Sequence, residues 1–317
     1  MTPGAPPAAR RGWSRAARFA LTLTATGAVL GVLVADLGGS AFWVALREAR
    51  PGWVALAFAV SCACVVIGAE RWRLLLRAMG HPLSLARAVY VVLATWPPAV
   101  IVPSRASDLL RAVALRGVVP MPAALASVVV EKVIDLSLLL ALAAAGAAVR
   151  GFWGWGLVIA LGLGLEVGAL AVLSRGSSRV RSIRWLRPEV VDALAASART
   201  VARARRELVP VAIASIVVRL LTVGVTQALL VAAGAEVSPI DTLTLWPAAV
   251  LVGILPLTLG GMGTRDAAFI YLLQARGHVT RGAVLAATMG YSAVAVWSFA
   301  FIGLPMMIRE MAHGGRA

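Results

Sequence analysis

Thr95-Trp96-Pro97-Pro98-Ala99-Val100-Ile101-Val102-Pro103 closes an apolar run that begins at Leu85. Tandem proline removes two backbone donors and stops a helix, so residues 85–103 do not read as one straight membrane crossing. They lead into Ser104-Arg105-Ala106-Ser107-Asp108-Leu109-Leu110-Arg111. The charges on either side decide what this stretch does. Arg10, Arg11, Arg15 and Arg18 precede an apolar run over residues 19–35. A second run, 52–69, ends at Glu70-Arg71-Trp72-Arg73 with Arg77 beyond, a basic exit. Residues 37–51 between them form a short outside segment. Residues 122–149 and 154–173 each have the length to span, since about 20 residues suffice. Nine Arg then lie between Arg175 and Arg206. The positive-inside rule places the N-terminus and the 174–207 loop in the cytoplasm. A full crossing by 85–103 would put that loop outside. Residues 85–120 are therefore expected to enter and leave on the cytoplasmic side as a broken hairpin. Irregular backbone at membrane depth is tolerated only in protein or beside a water-filled cavity, so a cavity is expected beside residues 97–111.

The second half has a similar pattern. Residues 208–232 span, with Arg219 near the middle, and 234–241 form a short outside loop. The apolar run 242–259 is expected to be broken by Pro247 and Pro256 before Gly260-Gly261-Met262-Gly263-Thr264-Arg265-Asp266. Residues 267–273 are a short apolar piece, and 283–308 close the chain as a last span. Interrupted segments at matching places in two halves point to a transport-type binding site. The second hairpin enters from outside, so the halves would be inverted.

Composition agrees with a membrane class. The chain has 317 residues, of which 60% are hydrophobic and 14% charged, and a mean hydropathy of +0.88. Soluble domains average about 45–50% apolar and about 25% charged. The net charge of +16 does not indicate nucleic acid, because the Arg residues sit between apolar spans. A cleaved signal peptide is disfavoured at the start, since the chain behind it is itself polytopic. Cys62 and Cys64 are the only cysteines. On a helix they point about 200° apart, so neither a disulfide nor a metal-ligand spacing is read. Trp43, Trp53 and Trp72 fit an interfacial aromatic belt.

The densest chemical signal is Glu131-Lys132-Val133-Ile134-Asp135, inside an apolar span. A charge at that depth costs roughly 2.5–3.5 kcal/mol on insertion scales. Glu131 and Asp135 share a helix face, and Lys132, the only lysine, can pair with Asp135. Either the group is an internal ion pair that fixes packing, or it is a charged wall of a substrate cavity. Arg105, Asp108 and Arg111 form a loose helical stripe. Two Arg around one Asp suit a phosphate, which Arg binds bidentately; an ordinary cytoplasmic helix face is the alternative. Gly260, Gly261 and Gly263 are not a Walker motif, since Gly-Lys-Ser/Thr is missing. They either let backbone approach a ligand, with Arg265 and Asp266 at the next helix start, or form a tight turn. Mid-span Arg219 needs an acid or a ligand phosphate; Glu166, among glycines, suits a helix contact. His81, His278 and His313 lie in loops or the tail, and no catalytic constellation is visible.

Four stretches resemble the lysylphosphatidylglycerol synthase transmembrane-region family, also called flippase-like domain proteins. They are Arg71-Trp72-Arg73-Leu74-Leu75-Leu76, Pro103 to Arg111, Glu131 to Asp135, and Leu255 to Asp266. They look like the family's RW-x-x-L-L, P-x-R-x-G-D-x-x-R, E-R/K-x-x-D and P-x-x-x-G-G-x-G-x-R-E. Ser107 stands where the family often has Gly, and Asp266 where it often has Glu. The resemblance covers roughly residues 18–310. It implies a bacterial or archaeal inner-membrane protein handling lipids or lipid-linked carriers. The family's aminoacyl-transferase domain is not expected in 317 residues.

The expected fold class is all-α: a polytopic membrane helical bundle of about six full spans plus two proline-broken re-entrant hairpins, with a possible inverted repeat. A basic cytoplasmic tail (1–18) precedes one transmembrane domain (19–310), and 311–317 form a tail. The expected function is binding and translocation of an anionic phospholipid or a polyprenyl-phosphate-linked lipid, without cofactor or metal. Expected substrate-binding residues are Arg105, Asp108, Arg111, Glu131, Lys132, Asp135, Arg219, Gly260, Gly261, Gly263, Arg265 and Asp266. A lipid-modifying enzyme partner or a homo-oligomer fits this reading. The rivals are a membrane-embedded glycosyl- or aminoacyl-transferase, for which no donor-binding motif appears, and an accessory subunit of such an enzyme.

Overall fold

A computed structural model describes residues 15–101, 110–154, 156–157, 159–164, 205–255, 257–275 and 279–314. Arg105, Asp108, Glu166, Pro256 and the Arg-rich loop up to residue 204 lie outside the described residues. The chain is an all-α polytopic bundle, and the described residues contain no strand. The main helices are α1 (Arg15–Val32), α2 (Gly39–Arg47), α3 (Pro51–Ala78), α4 (Leu85–Ala94), α5 (Trp96–Ile101), α6 (Leu110–Ala114) and α7 (Met121–Val149). After them come α8 (Arg205–Ala232), α9 (Pro239–Ile254), α10 (Thr264–Gln274), α11 (Arg281–Ser292) and α12 (Ser298–Gly314). Among the described residues three helices are long and apolar enough to cross a membrane: Pro51–Ala78, Leu208–Ala232 and Arg281–Ala312. The bent pair Thr26–Ala35 and Gly39–Arg47 makes a fourth if it is one span. Helix α7 has the length, 29 residues, and carries the Glu131–Asp135 charges within it.

Several boundaries differ from the sequence expectation. The outside segment 37–51 contains α2, which meets the preceding helix at 95°; Gly39, at φ +41°, takes a backbone position that other residues avoid. Helix α3 does not stop at Ala69 but runs to Ala78, which brings Arg71 and Trp72 into the bundle. Trp72 is fully buried, whereas Trp43 and Trp53 are exposed, so only the latter two suit an aromatic belt. The first hairpin breaks at Thr95, so that Pro97 and Pro98 fall in the first turn of α5, where a missing N–H costs nothing. Pro247 does not break its helix; it lies inside α9, as Pro does in membrane helices whose neighbours satisfy the freed carbonyl. The break follows Ile254, where Gly260, Gly261 and Gly263 all take positive φ.

The centre is the α3–α8 pair. Arg71 reaches Ser215, and the Arg50 N–H donates to Ala232 O at 3.0 Å. The partner number rises as the first falls, so the two helices are antiparallel. Arg205 therefore lies at the Ala78 end and Ala232 at the Pro51 end. Helix α3 has 28 residues, a length of about 42 Å, so these ends are opposite faces of a hydrocarbon layer about 30 Å thick.

Each hairpin starts from a different face. Helix α4 follows the Ala78 end, and Arg87 Nη2 donates to Ala114 O at 3.3 Å, which returns the first hairpin to its own face. Helix α9 follows the Ala232 end, and Phe269 of α10 packs edge-on to Trp246 with ring centroids 5.1 Å apart. The following spans cross-pack: α7 against α9, and α12 against α4 and α5. Each crossing has a glycine at the closest approach. A Cβ on Gly146 would strike the Thr244 carbonyl, and one on Gly303 the Leu93 carbonyl. Gly146→Val and Gly303→Val are each expected to destabilise the purified protein by about 1–3 kcal/mol, the usual cost of overpacking. An unchanged thermal unfolding midpoint in both would contradict these crossings.

Candidate functional site

Ser61, Cys64 and Gly68 leave one side of α3 small, and Arg71 continues the same side one turn on. The room so left is filled by charge. Arg71, only 4% exposed, extends one Nη to Glu131 Oε1 and the other to Asp135 Oδ1, each at 2.6 Å. It also donates to Ser215 Oγ at 3.3 Å. Arg111 of α6 donates to both Glu131 oxygens, at 3.0 and 3.2 Å, and stacks over the Trp72 ring at 5.6 Å. The Trp72 indole N–H is held by Ser127 Oγ at 3.0 Å. Arg219 approaches Asp135 Oδ1 at 3.8 Å and Lys132 approaches Oδ2 at 3.9 Å. Among the described residues, four bases therefore gather around these two acids.

The predicted acids, Lys132, Arg111 and Arg219 are thus brought together. Arg71 bridges both acids and was missed, because Arg71-Trp72-Arg73 reads as a basic helix exit. Arg73 does behave that way: it is part-exposed and pairs with Glu70 at 2.6 Å. The signal that separates them is the small-residue side of Ser61, Cys64 and Gly68, which Arg71 extends at helical spacing and Arg73 does not.

A cavity of about 250 Å3 lies against this cluster. Arg71, Arg111 and Glu131 give it a charged wall, and Val92, Trp96 and Phe299 an apolar one. Trp96 and Arg111 come from the two arms of the first hairpin, and of the stretch 97–111 the described lining includes Arg111. The Nε–H of Arg71 has no acceptor among the described residues.

The second hairpin builds a separate cluster. Arg265 and Asp266 are buried. The guanidinium bonds Asp266 Oδ1 at 2.8 and 3.0 Å, Ser292 Oγ at 2.9 Å and Thr288 O at 3.3 Å. It stacks on Trp246 and Tyr291 at 5.1 and 4.8 Å. Asp266 Oδ2 accepts from the Gly263 N–H at 2.9 Å, which caps the start of α10. Two of the three glycines are explained by close packing: a Cβ on Gly261 would strike the Gly253 carbonyl, and one on Gly263 would sit 2.6 Å from Val29. Gly260 faces open space. Asp266 and Ser292 line a second cavity, about 430 Å3. The two cavities touch different sides of one stretch of the last span, where residues Ala293–Trp297 form a π-turn. Such turns recur at functional sites.

Three of the four stretches that carried the sequence resemblance therefore meet at Arg71, Arg111 and Glu131–Asp135, and the fourth forms the second hairpin. The family model described as the lysylphosphatidylglycerol synthase TM region matches residues 16–303. The chain belongs to the lysylphosphatidylglycerol synthase transmembrane-region family. The match takes in every helix from α1 to α11 and all but the end of the last span. No curated protein matches the chain. As a member of this family, the chain is an integral, multi-pass membrane protein.

Proposed function

We propose that this chain holds the phosphate of an anionic lipid, a phospholipid or a polyprenyl-phosphate-linked carrier, in the Arg71–Arg111 cavity and moves it between leaflets of the bacterial inner membrane. The observation that carries the reading is a half-apolar cavity at membrane depth lined by two arginines, Arg71 and Arg111, and bounded by the buried Arg71 whose Nε–H has no acceptor among the described residues. Guanidinium matches phosphate oxygens in a plane and binds them bidentately. Arg105 and Asp108 enter the reading by their place between Ile101 and Leu110, the two ends of hairpin arms that reach the cavity. Lys132, Asp135 and Arg219 set the charge of its wall. Gly260, Gly261, Gly263, Arg265 and Asp266 frame the second hairpin rather than bind the first phosphate, since Arg265 and Asp266 engage each other. The Ala78 end is the cytoplasmic face in this reading, because the nine-Arg stretch runs into α8 at that end.

The test is a leaflet assay on sealed vesicles containing fluorescent phosphatidylglycerol and, separately, a fluorescent polyprenyl phosphate. The purified chain is expected to expose inner-leaflet probe to an impermeant quencher. Arg111→Gln is expected to slow this about tenfold, since a charge-assisted hydrogen bond contributes about 1.5–3 kcal/mol. Probe movement no faster than in protein-free vesicles would sink the proposal. Equal movement of phosphatidylcholine would remove the anion selectivity.

A further inference from the structure

We infer that two matched ion pairs, Arg87–Glu310 and Arg150–Asp241, are latches on the two mouths of this cavity, one at each membrane face, and that one opens while the other stays closed. The inference rests on the lipid-carrying reading for its purpose but not for its geometry.

Both pairs join the same kind of elements. Arg87 is the third residue of α4, and its N–H is capped by Ser84 Oγ at 3.3 Å. Asp241 is the third residue of α9, and its N–H is capped by Ser238 Oγ at 3.0 Å. Each is thus the same distance past a capping serine, at the root of the first arm of a hairpin. Each reaches across to the span that follows the other hairpin. Arg87 meets Glu310 near the end of α12 at 2.5 Å. Asp241 meets Arg150, the residue that caps the end of α7. The sign of charge is exchanged between the two ends, and the arrangement is otherwise reciprocal.

The two pairs lie on opposite faces. Arg87 follows the Ala78 end of α3 and Asp241 the Ala232 end of α8, which is the Pro51 end of α3. Inward of each latch is one of the glycine crossings, Gly303 against Leu93 and Gly146 against Thr244. These crossings pin the elements as pivots while the latches tie their ends. The cavity lies between them. Its apolar wall is made by the elements that Arg87–Glu310 joins: Val92 and Trp96 on one side, Phe299 on the other. Its Glu131 comes from α7, which Arg150 terminates.

The exposure of the pairs suits a latch rather than a lock. The Arg87 and Glu310 side chains are 37% and 26% exposed, and Asp241 is 25% exposed, while Arg150 is 6% exposed. The Arg87–Glu310 pair is thus partly solvated at both ends and the other pair at its Asp241 end, whereas the Arg71–Glu131 pair is buried at both ends and its rupture would strand a charge. Each has secondary holds. Arg87 stacks on Tyr90 at 5.2 Å and donates to Ala114 O at 3.3 Å; Arg150 Nη2 donates to Thr244 Oγ1 at 2.9 Å, and Asp241 accepts from Ser238 Oγ at 2.8 Å.

Cys64 lines the cavity and serves as a reporter that does not depend on lipid movement. In a Cys62→Ser background, the chain is placed in sealed vesicles of uniform orientation. An impermeant maleimide is added on one side or the other. Glu310→Gln is expected to raise the Cys64 labelling rate about fivefold from the Ala78 side only, the shift that losing a pair worth about 1 kcal/mol produces. Asp241→Asn is expected to do so from the Pro51 side only. The exchanged pairs, R87E/E310R and R150D/D241R, are expected to restore the parental rate. Labelling that is unchanged, or that rises from both faces in each variant, overturns the latches, as does failure of both exchanged pairs to restore it. Side-specific labelling in vesicles where no lipid probe moves would leave the latches standing and defeat the lipid reading instead.

Discussion

Arg71→Ala is expected to destabilise the purified protein by about 3–5 kcal/mol, the usual result of removing one member of a buried ion pair. Glu131 and Asp135 have side chains only 5% and 15% exposed. Without Arg71, among the described residues Glu131 keeps its ion pair with Arg111, and Asp135 keeps two bases 3.8 and 3.9 Å away. Arg71→Lys is expected to recover part of the loss at most. An ammonium is a single point of charge, whereas the guanidinium fork spans both carboxylates at 2.6 Å. Combining Arg71→Met with Glu131→Gln and Asp135→Asn is expected to cost at least as much as Arg71→Ala, because Arg111, Arg219 and Lys132 then lose both carboxylates they face. Thermal unfolding in detergent measures all three. A loss below about 1 kcal/mol for Arg71→Ala would mean that water, not protein, solvates this group.

The acids of that cluster were legible because charge inside an apolar span is expensive wherever it occurs. Their main partner was not, because a base at the end of an apolar run has an ordinary explanation at the membrane surface. Where α3 ends decides between the two, and no residue between Ala69 and Ala78 marks the end. The stop comes from Gly80, at φ +85°, eleven residues after the apolar run closes. The parity of charges required the first hairpin to return to its own face, and the Arg87–Ala114 contact brings Leu110–Ala114 back beside the start of α4. Pro247 misled for a different reason. Proline breaks a helix in water more reliably than inside a bundle, where neighbouring groups satisfy the freed carbonyl. Nothing in the sequence ties Arg87 to Glu310, 223 residues away, because that pair exists only once the two halves interlock.

Arg265→Lys, though it keeps the charge, is expected to cost about 2–3 kcal/mol of stability, and Arg265→Ala about 3–5 kcal/mol. Arg265 is 6% exposed and Asp266 fully buried. The guanidinium meets one carboxylate oxygen through two nitrogens, a hydroxyl and a carbonyl of α11, and the faces of Trp246 and Tyr291. A lysine offers no plane to lie between two rings and cannot fork onto Asp266 while reaching Ser292. The loss falls on the joint between α10 and the last span, immediately before the π-turn at Ala293. Asp266 would retain its bond from the Gly263 N–H, so the cap of α10 should survive in the lysine variant while the joint loosens. The joint anchors the second hairpin against the element that walls both cavities, so slower lipid movement should accompany the lower unfolding temperature. The ratio of the two effects is diagnostic. Unchanged unfolding together with weakened binding of phosphatidylglycerol would show that Arg265 leaves Asp266 to hold a phosphate itself, and would move the lipid site to the second hairpin.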